Sequence, residues 1–267
     1  MIPFPEKDHY TYEDLLEIIR LLRTPEGCPW DRAQTHESLR RGLLEEAYEA
    51  AEALDRGDLA GLCEELGDLL MQAVFHADIE REAGGFTMDE VCDGVVKKLL
   101  FRHPHVFSVT DTQNDTPDQV LVNWEELKKK EKGYASAGAA MEAVAKTLPA
   151  LWRAEKIQKK AAAAGFDWPS VAGAMDKLRE EADELQEAIE KGTNPAEELG
   201  DLLFAAVKVG RFMGIDPEEA LHAACDKFTQ RFCRMEDESA QNHRDFDQLS
   251  LDEMMKLWEN SKVHRDP

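Results

Sequence analysis

The sequence predicts an all-α protein made of two tandem, duplicated helical-bundle domains, and three observations carry that prediction. The heptapeptide EELGDLL occurs at residues 64–70 and again, unchanged, at 197–203. Motifs on either side of it recur in the same order, at an offset of 129 to 135 residues. Apolar residues repeat at helical spacing in both halves, whereas no period-2 strand pattern stands out. Four matched elements in one order indicate a duplicated domain.

The repeat divides the chain into two domains of similar size. A length of 267 residues is sufficient for two separate cores. The stretch GYASAGAA at 133–140 consists mainly of small residues, which is typical of a flexible linker. We therefore expect an N-terminal domain over 1–132, a linker over 133–146 and a C-terminal domain over 147–267.

In the first half, capping residues and glycines mark the helix boundaries. Thr11 and Thr87 each stand three residues before an acidic residue, as helix N-caps do. Gly57 and Gly84 follow helical segments, where glycine commonly ends a helix. The predicted elements are helices over 11–23, 37–55, 58–83 and 88–102, a loop over 24–36, a polar loop over 108–119 and a helix over 120–132. The residues expected to face the core in the third helix are Leu66, Leu69, Leu70, Ala73 and Val74.

The second half repeats this plan. Asp216 precedes a proline and two acidic residues, which marks a helix start, and Ser250 with Glu253 forms another capping box. The helices are predicted near 148–163, 170–191, 195–213, 217–238 and 250–262.

Composition narrows the functional classes. The net charge of -23, from 55 acidic and 32 basic residues, disfavours binding to nucleic acid, because phosphate-backbone recognition requires a basic stripe. No run of about 18 apolar residues occurs, and the first residues lack a basic segment followed by an apolar one, so membrane spanning and secretion are not expected. The five cysteines follow no zinc or redox spacing, so we expect reduced thiols in a cytoplasmic protein.

Acidic residues form matched pairs at helical spacing in the two halves. Residues three apart share a helix face, so each pair makes an edge of two carboxylates. A solvated acidic surface is the ordinary explanation for such an edge. Two facing edges beside apolar residues instead favour a metal site, because partly buried carboxylates need a cation. Oxygen ligands without histidine or cysteine indicate Mg²⁺, or Mn²⁺. The pairs are Glu46 with Glu49, Glu65 with Asp68, Glu181 with Glu184, and Glu198 with Asp201.

These motifs resemble a known family. The pattern E-E-x-x-E followed by E-x-x-D, together with CPWDRAQTH, RHPHVF, KIQKKAAAAGFDW and KF-x-x-RF, is similar to that of the MazG-type nucleoside triphosphate pyrophosphohydrolases. The resemblance covers nearly the whole chain. It implies a fold of the all-α NTP pyrophosphatase type, Mg²⁺-dependent hydrolysis of nucleoside triphosphates to monophosphate and pyrophosphate, and a homodimer.

The resemblance also assigns roles to residues of the second half. Glu181, Glu184, Glu198 and Asp201 are expected to hold the metal, and Glu180 or Glu197 to orient the attacking water. The residues expected to neutralise the phosphates are Lys177, Lys227 and Arg231. Trp258 is expected to stack on the base or ribose, with Phe166 and Trp168 bordering the pocket. From the residues alone, Trp258 could equally be a core anchor, and the two cations on 217–238 a solvated helix face.

The two halves are unequal in one position. The first half keeps its four presumed ligands together with Lys98, Arg102 and Trp124, but it has Gly42 in the place of Lys177. We therefore expect metal binding in both halves and stronger catalysis in the second. Asp226 stands where the family pattern has asparagine, which adds an acid beside the phosphate site.

Two other functions are compatible with this sequence. The acidic helices could form a metal-dependent nucleotide-binding module without turnover. The substrate could also be narrower, such as dUTP or phosphoribosyl-ATP, because related pyrophosphatases share the carboxylate pattern. The duplication and the GFDW motif weigh against the narrower substrate.

Overall fold

A computed structural model describes residues 2–107, 116, 127, 131 and 133–262 of the chain. Within those residues the secondary structure is helical and contains no strand, which confirms the predicted fold class. The chain separates into two units, Met1–Glu131 and Lys132–Pro267, which are taken in turn. No helix in the described residues is both long and apolar enough to span a membrane, and none of the five cysteines is in a disulfide.

The first unit is organised around two long helices joined by a short turn. Gly57, in the left-handed region at φ 65°, ends the first of them, and the Asp58 carboxylate caps the second by accepting from the Ala60 and Gly61 amides. A two-residue connection makes packed helices antiparallel. The helices of this unit are α1 (Tyr12–Arg23), α2 (Pro29–Arg32), α3 (His36–Arg56), α4 (Leu59–Ala83), α5 (Met88–Arg102) and α6 (Pro104–Phe107).

A small apolar core holds α1 against α3 and α4. Its fully buried members are Ile19, Leu39, Val74 and Phe75. Beside this core, the buried guanidinium of Arg23 lies 3.2 Å from the Asp78 carboxylate. Breaking a buried pair of this kind leaves an uncompensated charge, so it fixes the position of α1 on α4.

The second unit has the same central pair. Gly192, at φ 66°, ends the first long helix, and Pro195 opens the second. The buried Gln158 amide donates to the Phe204 carbonyl at 2.7 Å, which ties the preceding helix to this pair. The helices of the unit are α7 (Ala137–Glu142), α8 (Ala150–Ala163), α9 (Val171–Lys191), α10 (Pro195–Met213), α11 (Pro217–Gln241) and α12 (Leu251–Ser261), with a 3₁₀ turn at Phe246–Gln248.

Three details differ from the sequence-based expectations. The predicted loop 24–36 contains α2, because Pro29 favours the first turn of a helix. The predicted linker contains α7, capped by the Ser136 hydroxyl, and Val144 after it is buried. Leu66 and Leu70 are 53% and 39% exposed rather than in the core. The loop predicted over 108–119 and the helix over 120–132 lie outside the described residues, apart from residues 116, 127 and 131.

Candidate metal and nucleotide site

In each unit, three of the four predicted carboxylates converge between the two long helices. In the second unit, one carboxylate oxygen each from Glu181, Glu198 and Asp201 lie within 4.8 Å of one another. Glu181 comes from α9 and is 6% exposed, whereas the other two come from α10. Three converging oxygen ligands fit a hard divalent cation such as Mg²⁺. We call Glu181, Glu184, Glu198 and Asp201 the second-unit cluster.

Lys177 supplies a positive charge to this cluster. Its Nζ lies 2.7 Å from Glu181, 2.9 Å from Glu180 and 4.0 Å from Glu184. Hydrogen bonds to Glu181 and then to Glu180 raise the pKa of the Lys177 ammonium. Burial raises the pKa of Glu184, and Lys177 opposes that rise. The ammonium therefore acts as the internal counter-ion of the carboxylates.

The two candidates for orienting water have different surroundings. Glu180 lies at the cluster, since it shares the Lys177 ammonium with Glu181. Glu197 accepts a hydrogen bond from the Asn194 amide at 2.8 Å, at the start of α10. The geometry thus places Glu180 beside the carboxylates, while Glu197 takes part in the helix terminus.

A group of cations and aromatic rings is formed where α12 packs on α11. The Trp258 and Phe228 rings lie 5.1 Å apart between centroids, and the Arg231 guanidinium lies 5.6 Å from the Trp258 ring. Lys227 is exposed on α11. Phe228, at 57% exposed, was not among the predicted binding residues. The signal that would have found it is the motif KF-x-x-RF itself, where an aromatic residue follows the lysine.

The GFDW segment presents two aromatic rings to solvent. Phe166 is 79% exposed and Trp168 is half-exposed. Between them, Asp167 pairs with Arg211 at 2.5 Å and with Lys208 at 3.4 Å. Burial alone would raise the pKa of Asp167, but the Arg211 hydrogen bond lowers it below its usual value. This ion pair fixes the segment to α10.

The first unit contains the matching cluster without a matching cation. Oxygens of Glu46, Glu49 and Glu65 lie within 4.8 Å of one another. Burial, followed by repulsion from Asp68, Glu49 and Glu65, raises the pKa of Glu46. Among the described residues, no lysine or arginine pairs with these four carboxylates. We call Glu46, Glu49, Glu65 and Asp68 the first-unit cluster.

The cations predicted for the first unit are placed differently from those of the second. Arg102 is buried, and its guanidinium contacts the Glu131 carboxylate at 2.6 and 2.7 Å. A guanidinium held in this way is directed at a protein carboxylate, whereas its counterpart Arg231 lies over an aromatic ring. Lys98 is half-buried on α5, and Trp124 lies outside the described residues.

Comparison with known proteins places these clusters in a family. Residues 34–107 and 170–233 both match the model of the MazG nucleotide pyrophosphohydrolase domain, and each matched segment contains one of the two clusters. The chain belongs to the MazG family. The double match agrees with the duplication found in the sequence.

Two curated relatives are similar to this chain along almost their whole length. One, from Thermotoga maritima, is named nucleoside triphosphate pyrophosphohydrolase/pyrophosphatase MazG and is 42% identical over 94% of this chain and 95% of its own. Another, from Escherichia coli K12, is named nucleoside triphosphate pyrophosphohydrolase and is 40% identical over 93% of this chain and 95% of its own. A solved mazG-related protein from T. maritima is 36% identical and covers 44% of this chain and 98% of its own, with a TM-score of 0.38.

Proposed function

We propose that this chain hydrolyses nucleoside triphosphates to the monophosphate and pyrophosphate in a Mg²⁺-dependent reaction, mainly in the second unit. The observation that carries the proposal is the convergence of Glu181, Glu198 and Asp201 within 4.8 Å, with Lys177 one helical turn away. The names of the two curated relatives support the reaction class.

The roles of the residues follow from their charges. The second-unit cluster would hold Mg²⁺ (or Mn²⁺), which when bound supplies positive charge to the triphosphate oxygens. Glu180 would accept the proton of the attacking water, whose oxygen forms a bond to the α-phosphorus. The bond from that phosphorus to the α–β bridging oxygen then breaks, and pyrophosphate leaves. Lys227 and Arg231 would stabilise the charge that develops on this leaving group.

Aromatic residues would bind the nucleoside. Trp258 is partly exposed and lies beside Phe228, and a base can stack on the face of such a ring whatever its identity. Phe166 and Trp168 provide two further exposed rings in the same unit. Because stacking accepts any base, it favours broad specificity over a single substrate such as dUTP.

A homodimer is the second part of the proposal. The repeated heptapeptide places Leu66 and Leu70 in one unit and Leu199 and Leu203 in the other, and all four are between 39% and 53% exposed. Rows of exposed leucines on long helices mark protein interfaces. A second copy of the chain would cover them. A Leu199→Glu variant should then shift the mass measured by light scattering from dimer to monomer, whereas an unchanged mass would contradict this interface.

The reaction is tested by identifying the products and the bond that breaks. ATP incubated in H₂¹⁸O should yield AMP and pyrophosphate, with the ¹⁸O in AMP, because water attacks the α-phosphorus. EDTA or Asp201→Asn should abolish the release. Label in the pyrophosphate, or products ADP and phosphate, would contradict the proposed cleavage. Binding of ATP without any products would instead identify a nucleotide-binding module.

A further inference from the structure

The two units differ at one matched position of their first long helix. In the first unit, Gly42 stands four residues before Glu46, and in the second unit Lys177 stands four residues before Glu181. Residues four apart lie on one face of a helix. The helix face that carries the carboxylates therefore has a glycine one turn earlier in the first unit and a lysine in the second.

The second long helix also differs at a matched position. Gln72 stands four residues after Asp68, and Ala205 stands four residues after Asp201. Both side chains are buried, at 8% exposed. The first unit thus combines glycine with glutamine, and the second combines lysine with alanine. Each combination has one large and one small residue.

In the first unit, Gly42 and Gln72 share one space. A Cβ atom added to Gly42 would lie 3.0 Å from the Gln72 amide nitrogen, which is closer than nearly all real contacts of this kind. The Gln72 side-chain oxygen is buried and has no hydrogen-bond partner among the described residues. The glutamine therefore fills the volume that a lysine stem would need. In the second unit, the position that matches Gln72 holds the smaller Ala205.

The two units therefore differ in charge beside their carboxylates: the second unit has the Lys177 ammonium, whereas the first has the neutral Gln72 amide. In the second unit, Lys177 lies 2.7 Å from Glu181 and neutralises part of the cluster. A metal ion that enters this cluster must compete with the ammonium for the same oxygens. In the first unit, Glu46, Glu49 and Glu65 converge without a cation, so an entering ion gains the whole attraction of the carboxylates.

We infer that the two clusters take up a divalent cation under different conditions. The first-unit cluster binds the metal in the absence of nucleotide. The second-unit cluster binds it tightly only when a triphosphate draws the Lys177 ammonium away from Glu181. The second half of this inference rests on the proposed function, because it requires a phosphate ligand. Lys177 is thus a positioning residue that couples metal binding to nucleotide binding.

The test is a titration of the EDTA-treated, full-length chain with Mn²⁺ alone, followed by calorimetry or by the electron paramagnetic resonance signal of free Mn²⁺. The wild-type chain should show one class of tight site, which Glu49→Gln removes. Lys177→Met should tighten the second-unit site at least roughly tenfold, so that a second tight class is seen. Arg179→Met is the matched control, because this exposed arginine of α9 pairs with Asp176 outside the cluster.

The reciprocal exchange completes the test. Gly42→Lys with Gln72→Ala should weaken the first-unit site at least roughly tenfold. Adding α,β-methylene-ATP to the wild-type chain should produce a second class of tight Mn²⁺ site. In Lys177→Met this second class should be present without the analogue. Two equal classes in the wild-type chain without nucleotide would overturn the inference, as would no Mn²⁺ binding at all, or Lys177→Met titrating like Arg179→Met.

Failure of this inference and failure of the proposed function give different results. The Mn²⁺ titrations need no turnover, so they report on the two clusters even in a chain that hydrolyses nothing. Pyrophosphate release from the wild-type chain tests the reaction independently. Circular dichroism of each variant confirms that a changed titration does not come from unfolding.

Discussion

Replacing Asp216 by alanine is expected to destabilise the start of α11, the helix that carries Lys227 and Arg231. The Asp216 carboxylate accepts from the Glu218 and Glu219 amides at 2.9 and 3.1 Å, which makes it the N-cap. It also accepts from the Trp152 indole nitrogen, at 3.0 Å to each oxygen. One side chain thus caps α11 and attaches it to α8.

The magnitude follows from these two interactions. Loss of an N-cap costs about 1 kcal/mol, and loss of a hydrogen bond to a charged acceptor costs roughly 1.5 to 3 kcal/mol. Asp216→Ala should therefore cost roughly 2 to 4 kcal/mol in unfolding free energy. Asp216→Asn should cost less than about 1 kcal/mol, because asparagine is an equally good cap and still accepts from the indole.

Hydrogen exchange followed by mass spectrometry is the appropriate assay, because it assigns stability to individual helices. Peptides from the start of α11 should exchange roughly 30-fold to several hundred-fold faster in Asp216→Ala. The KM for the triphosphate should rise as well, since α11 carries Lys227 and Arg231, which we propose bind the phosphates. Asp58→Ala in α4 is the control, because Asp58 caps a helix without contacting a tryptophan. Equal losses in the two alanine variants would refute the role of Trp152.

Three further predictions concern pH and stacking. Hydrogen bonds, first from Ser250, lower the pKa of Glu253 to about 2 from 4.5. The ionised Glu253 carboxylate therefore stabilises the fold fully above pH 4.5, and this stabilisation is lost as the pH falls toward about 2. The melting temperatures of the wild-type chain and of Glu253→Gln should become equal near that lower pH. Burial, followed by the charge of His36, lowers the pKa of His76 from 6.5. The unfolded first unit therefore binds a proton more readily, so its stability falls as the pH drops below 6.5. In urea titrations, His76→Gln should lose less unfolding free energy than the wild-type chain over that range. Trp258→Ala should raise the KM for every triphosphate roughly 5- to 150-fold and Trp258→Phe much less, in steady-state assays.

The helices could be predicted from the sequence because their ends are encoded locally. Thr11, Thr87 and Ser250 each form the capping box that their spacing predicted. Gly57 and Gly192 each end a long helix in the left-handed conformation. The convergence of the carboxylates was also predictable, because residues three apart share a face and a short turn makes the two helices antiparallel.

Features that depend on packing between helices could not be read from the sequence. Periodicity shows that Leu66 and Leu70 share a stripe with core residues, but not that these two leucines stay exposed in the folded unit. The pairing of Lys177 with three carboxylates requires the rotamer of the lysine. The role of Gln72 depends on a neighbouring glycine in another helix, at a distance that no spacing rule specifies.

The most direct test of catalysis in the second unit is pyrophosphate release from all eight ribo- and deoxyribonucleoside triphosphates, with Mg²⁺ or with EDTA. The wild-type chain, Glu184→Gln and the matched first-unit variant Glu49→Gln would be compared. We predict Mg²⁺-dependent release from many bases, a fall of roughly 100-fold or more in Glu184→Gln, and nearly full release in Glu49→Gln. Release that survives Glu184→Gln but is lost in Glu49→Gln, or no release from any triphosphate, would contradict catalysis in the second unit.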